Sequence, residues 1–156
     1  MKEQGAEATA TSVLKALDEQ HNKYRFMEMN LMGKKRRLKK QVPDISASLD
    51  VLRLVRDRKE SEEEMMTNFK LSDEVYVTAK VPPTDRINLW LGANVMLEYP
   101  LDEAEELLRK NLDAANKSLS QIDINLDYLR DQITTTEVNM ARVFNWDVKK
   151  RTEKKE

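Results

Sequence analysis

The second half of the chain repeats an apolar residue every seven positions, through Leu101, Leu108, Ala115, Ile122, Leu129, Thr136 and Val143, with one threonine among them. A companion register runs through Leu112, Leu119, Leu126, Ile133 and Met140. Two such positions per heptad describe a helix with a narrow apolar stripe, which a single partner helix covers. Pro100 ends whatever precedes it. Asp102, Glu103, Glu105 and Glu106 then suit the positive end of a helix dipole, and Lys149, Lys150 and Arg151 the opposite end. A helix is predicted over about 101–149.

The first half reads in sevens from Leu17 through Tyr24, Leu31, Leu38, Ile45, Leu52, Lys59 and Met66. Its second register, His21, Glu28, Lys35, Val42, Leu49 and Arg56, is patchier. Pro43 falls inside this stretch, where it removes a backbone bond and costs about 3 kcal/mol in an undisturbed helix. The step from Leu38 to Ile45 nevertheless stays at seven residues, so a kink rather than a loop is expected. Ser12 offers a cap, and the helix is predicted over about 12–70 with Ser72 near its end.

Between the two helices the period changes to two. Val75, Val77 and Ala79 alternate with Tyr76, Thr78 and Lys80, and Ile87, Leu89 and Leu91 with Asn88 and Trp90. Pro82-Pro83-Thr84-Asp85 and Gly92-Ala93-Asn94 supply turns, and Val95 to Tyr99 a third strand. So small a strand segment is hard to stabilise alone, so neighbouring subunits are expected to cover its apolar side. At 1.5 Å per residue the helices would run roughly 90 Å and 70 Å. The short insert folds them back antiparallel, with both termini at the free end. The expected fold is mainly α with a small β segment: a long antiparallel two-helix coiled coil joined by β-hairpin strands. One unit spans 1–156, with helices at about 12–70 and 101–149 and strands within 73–99.

The usual catalytic constellations are missing. There is no cysteine, the single histidine is His21, and Gly5, Gly33 and Gly92 lie too far apart to cradle a phosphate. No enzymatic activity, cofactor or metal site is expected, and His21 reads as a packed or surface residue. The clusters Glu62-Glu63-Glu64 and Asp102-Glu103 with Glu105-Glu106 lack the ligand spacing of a calcium loop and read as solvated faces. The run Lys34-Lys35-Arg36-Arg37 with Lys39-Lys40 invites a basic-zipper reading. Against it, Pro43 falls at the junction, the zipper would meet Lys59, and Leu38 already belongs to the seam. The 27 basic and 28 acidic residues nearly balance, so no direct nucleic-acid binding is expected. The basic face is open to nuclear import or to an acidic partner. No apolar run approaches a membrane span, and Met1 to Glu7 lacks the apolar region of a signal peptide, so a soluble, cytoplasmic protein is expected.

Antiparallel pairing brings Val13, Leu14 and Leu17 near Met140, Val143, Phe144 and Trp146. These either zip the fraying end of the coil or form an exposed apolar tip able to hold non-native chains. Met27, Met29 and Met32 extend the second idea. A plain structural or adaptor coiled coil would need the heptads but has no use for the strands.

The run from Asn88 to Tyr99 followed by Asp102-Glu103-Ala104 resembles the strand-to-helix junction of alpha-type prefoldin subunits. Val81 to Asp85, Lys34 to Lys40 leading into Val42-Pro43-Asp44-Ile45, and Thr134 to Arg142 with Asn145-Trp146-Asp147-Val148 are similar to the same family. The resemblance implies an ATP-independent chaperone: a heterohexamer of two alpha-type and four beta-type subunits on a β-barrel platform. It implies capture of unfolded actin and tubulin, delivery to the cytosolic chaperonin, and binding of the von Hippel-Lindau tumour suppressor. Carried onto this chain, the platform residues are Val75, Val77, Ala79, Ile87, Leu89, Leu91, Val95 and Leu97, and the client-facing residues lie at the arm tip. The family usually carries two hairpins, whereas three clear strands are legible here, with room for part of a fourth around Phe69 to Glu74.

Overall fold

The computed structural model describes residues 3–153, with side chains from residue 10 onward; residues 1, 2 and 154–156 of the expected unit lie outside the described residues. Helix α1 spans Glu3–Glu60 and α2 spans Leu101–Glu153. Between them lie β1 (Met65–Ser72), β2 (Val75–Val81), β3 (Arg86–Gly92) and β4 (Val95–Pro100). The strands form two separate antiparallel hairpins, β1–β2 and β3–β4. Residues fall into two compact units, one holding the chain up to Leu38 and from Ser118, the other Lys39–Lys117.

In the first unit α1 shields Ala10, Leu14, Leu17, His21, Tyr24, Glu28, Leu31, Lys35 and Leu38, in steps that alternate four and three. The matching series on α2 is Leu119, Ile122, Leu126, Leu129, Ile133, Thr136, Met140, Val143 and Asp147. The second register of α1 is therefore as much a seam as the first. It looks patchy because its polar members meet charged partners on α2 rather than apolar ones. His21 Nε2 lies 2.9 Å from Glu137 Oε1, with Arg25 Nη2 at 3.3 Å from the same oxygen; Glu28 faces Arg130 at 3.9 Å; Lys35 Nζ lies 2.5 Å from Asp123 Oδ1. That oxygen is buried without a well-angled hydrogen bond, so the Lys35 contact is charge pairing. The pairs His21–Glu137, Glu28–Arg130 and Lys35–Asp123 each have residue numbers that total 158, which defines an antiparallel register. Along α1 the charges run basic, acidic, basic, and along α2 the complement.

The second unit follows the same register, with Arg56 Nη2 at 2.8 Å from Asp102 and Arg56 Nη1 at 2.6 Å from Glu105. Its seam is apolar. Val42, Ile45, Leu49 and Leu52 are shielded on α1, and Ala104, Leu108, Leu112 and Ala115 on α2. The core comprises Leu52, only 1% exposed, with Leu101 and Ala104, against which Val55, Ile87, Leu89, Tyr99 and Leu108 pack. Burying one such leucine contributes about 2 kcal/mol.

Several boundaries differ from the reading of the sequence. Helix α1 begins at Glu3, so Ser12 lies inside it, and it continues through Pro43 as one helix. It ends at Glu60 rather than near 70. The end is built by backbone geometry: Glu62 adopts φ 54°, its N–H donates to Lys59 O, and Glu63 N–H donates to Arg58 O, both at 3.2 Å. This is the paired capping of a Schellman motif, with glutamate at the left-handed position where glycine is usual. Residues 65–72, expected to be helical, thus form a fourth strand. The count in sevens had continued by coincidence through Lys59 to Met66, which lies on an exposed strand.

Candidate functional site

Each hairpin is a two-faced ribbon whose faces follow from strand alternation. In β1–β2, Met65 pairs with Val81, Thr67 with Ala79 and Phe69 with Val77, giving one largely apolar face. The other face carries Asn68, Lys70, Thr78 and Lys80 with Met66 and Tyr76, and Thr78 Oγ1 donates to Asn68 Oδ1 at 2.7 Å. Leu71 is an extra residue on β1, without a partner on β2. No residue of this hairpin is buried, and Phe69, in the middle of the apolar face, is 54% exposed.

In β3–β4, Ile87 pairs with Tyr99 and Leu89 with Leu97, and Leu91 is the extra residue before Gly92 pairs with Val95. The base of this face is already used, because Ile87, Leu89 and Tyr99 pack on the Leu52–Leu101–Ala104 core. Its outer end, Leu91, Val95 and Leu97, is exposed. The opposite face shows Trp90, 59% exposed, paired with Met96, and Arg86 Nε at 3.1 Å from Glu98. The two loop residues Ala93 and Asn94 both have positive φ, 48° and 61°, the signs of a type I′ turn, and Gly92 has φ 94°. Leu101 N–H donates to Asp85 O at 3.1 Å, tying the start of α2 to the strand segment.

The eight residues assigned to the platform from the sequence thus divide. Val75, Val77, Leu91, Val95 and Leu97 are exposed, Ala79 is half-buried, and Ile87 and Leu89 belong partly to the chain's own core. Sequence reasoning missed Met65, Phe69 and Leu71, although Met65, Thr67, Phe69 and Leu71 alternate with Met66, Asn68 and Lys70 at the period of a strand.

The seven tip residues divide as well. Carrying the register of His21–Glu137 toward the N-terminus sets Leu17 beside Met140 and Leu14 beside Val143, and all four are half-buried seam members. Val13, Phe144 and Trp146 point outward, with Phe144 58% exposed. Further along α1, Phe26, Met27, Met29 and Met32 are exposed too. Near the tip Asp147 is buried and accepts a bond from Arg151 Nη2 at 2.8 Å.

Two glutamates at helix–helix contacts are held below the ordinary carboxylate range. For Glu105 the main cause is the hydrogen bond from Arg56, aided by Arg109; for Glu137 it is the hydrogen bond from His21, aided by Arg25. Burial opposes both shifts. Among the described residues no cluster of histidine and carboxylate side chains is arranged to hold a metal ion, and no helix is long and apolar enough to cross a membrane.

Residues 24–146 match the family model described as Prefoldin subunit. The chain is 60% identical over 151 residues to Prefoldin subunit 3 of Mus musculus, covering 97% of this chain and 76% of that protein. It is 40% identical over 147 residues to Prefoldin subunit 3 of Saccharomyces cerevisiae, covering 88% and 74%. Filamentous PFD from Methanocaldococcus jannaschii, solved by cryo-EM, has the same fold with a TM-score of 0.60 at 17% identity, over 78% of this chain and 98% of that one. Paired helices joined by two hairpins, matched by sequence along nearly their whole length, place this chain in the prefoldin family, whose members are subunits of a chaperone complex rather than enzymes.

Proposed function

We propose that this chain is an alpha-type subunit of a heterohexamer, assembled with one further alpha-type and four beta-type chains, that holds unfolded actin and tubulin without ATP and passes them to the cytosolic chaperonin. The observation that carries this reading is the pair of hairpins. Their apolar positions Phe69, Val75, Val77, Leu91, Val95 and Leu97 are exposed on the single chain, and strands of this kind seek completion by neighbours. Hairpins from several chains would close a barrel, and the paired helices would extend from it as arms. The outward Val13, Phe144 and Trp146, backed by Leu14, Leu17, Met140 and Val143, would then offer weak apolar contacts that gain strength when several arms hold one client. The cytoplasm is the corresponding location, with nuclear entry through the basic run of α1, and the von Hippel-Lindau tumour suppressor is a further ligand.

Light scattering on the chain mixed with beta-type prefoldin subunits tests the assembly. A discrete complex near six chains is expected; a persistent monomer or simple dimer would leave an adaptor coiled coil as the better description. Within the hexamer, Phe144→Ser with Trp146→Ser should weaken suppression of actin aggregation without changing the assembled mass.

A further inference from the structure

Ser61 occupies the only place in the sequence where a serine is followed by three consecutive carboxylates, Glu62-Glu63-Glu64. It also lies where a second protein could reach it. Residues 61–64 fall between the end of α1 and the start of β1, outside helix and strand, and all four are exposed. Other hydroxyls with acidic neighbours lack one of these properties. Ser72 precedes only Asp73 and Glu74 and is paired with Val75 in the tight β1–β2 turn; Ser120 has Asp123 three residues on, but within α2 and facing Lys35.

We propose that Ser61 is a phosphorylation site for an acidophilic protein serine kinase, an enzyme whose substrate groove is basic and reads carboxylates just after the target hydroxyl. The carboxylates are available at little expense. Glu63 pairs with Arg58 and Glu64 lies 3.7 Å from Lys80 Nζ, and exposed ion pairs of this sort hold their partners weakly. In the transfer, Ser61 Oγ attacks the γ-phosphorus of a nucleoside triphosphate held by the kinase. The Oγ–P bond forms, the bond from that phosphorus to the β–γ bridging oxygen breaks, the hydroxyl proton passes to a carboxylate of the kinase, and the nucleoside diphosphate leaves.

The modification would act on the cap of α1. Ser61 is the residue at which the helix ends, and its Oγ donates to Arg58 O at 3.3 Å. A phosphate there sets close to two negative charges against the negative end of the helix dipole and competes with Glu63 for Arg58. The Schellman bonds of Glu62 and Glu63 would loosen, and with them the junction from which the first hairpin leaves the helix.

The full-length chain should be incubated with a purified acidophilic serine kinase and ATP, and the product mapped by tandem mass spectrometry. The expected result is a gain of about 80 Da on Ser61, absent in Ser61→Ala. Glu63→Gln with Glu64→Gln should lower the rate about tenfold, the loss of one charge-assisted contact, while circular dichroism shows helix content unchanged in both variants. In the phosphorylated chain, amide exchange at Glu62 and Glu63 should quicken about tenfold. No incorporation, incorporation at Ser72 or Ser120 instead, or a rate indifferent to the two glutamines would overturn the assignment; unchanged exchange would overturn the proposed action on the cap.

Discussion

The two hairpins are similar in length and both close through two-residue loops, yet only one of them has a place in the chain's own core. Ile87, Leu89 and Tyr99 of β3–β4 pack on Leu52, Leu101 and Ala104, whereas β1–β2 contributes nothing to that cluster. The difference has a local cause. The second hairpin runs directly into α2 through Pro100 and Leu101, so its base is drawn against the helix that follows. The first leaves α1 through a four-residue turn headed by a left-handed glutamate. A pair of strands alone is marginal in water, so the helices hold one ribbon and leave the other dependent on what covers its apolar face.

Truncating Leu52 should break this contrast most severely. Leu52→Ala is expected to cost about 3 kcal/mol by thermal or urea unfolding, and amide exchange should accelerate across β3–β4 while β1–β2 stays as it was. Equal acceleration in both ribbons would mean that they share an anchor. A smaller effect concerns the turns. Ala93→Asn with Asn94→Gly supplies the residues that a loop with two positive φ angles prefers, and should stabilise β3–β4 by about 1 kcal/mol. The same exchange at Asp73 and Glu74, neither of which has positive φ, should give no gain. Glu62→Gly relieves the left-handed cap of α1 and should add about 0.5–1 kcal/mol, read as a higher unfolding midpoint.

The gentlest probe is acid. Glu105 and Glu137 have folded pKa values below the ordinary 4.5, so the stability they contribute is present above that value and is lost as pH falls through the lowered ones. Acid titration followed by circular dichroism should show Glu105→Gln and Glu137→Gln each flattening the decline below pH 4.5 relative to the parent chain. Glu105→Gln should act next to the docked hairpin, since Arg56 and Asp102 flank the same contact.

Most of the architecture was legible in the sequence because α2 is written almost without exceptions. Every heptad position from Leu101 to Val143 that the spacing marked as apolar is at least half-buried. The first helix was harder to read at both ends. A seam is recognised by apolar residues, and α1 places His21, Glu28 and Lys35 in it, which are intelligible only once Glu137, Arg130 and Asp123 are seen opposite. Its C-terminal end was missed because a Schellman stop with Glu62 in place of glycine leaves no mark in composition. Strand β1 was obscured by the heptad count running over it. The outward Phe144 and Trp146 were identifiable as tip residues, but which tip residues face the partner helix depends on a register that the charge pairs fix.

That register has a consequence for how such helices find and keep one another. Sliding α2 by one heptad would bring Arg130 against His21 and set Asp123 against Glu28, so the nearest misalignment trades opposite charges for a basic pair and an acidic pair. The apolar residues alone would tolerate that slip, because leucine and isoleucine recur at the same interval. The alternating charges therefore act as a parity check on alignment: a shifted hairpin, or a helix borrowed from a neighbouring chain in the wrong phase, is rejected before its apolar layers can trap it.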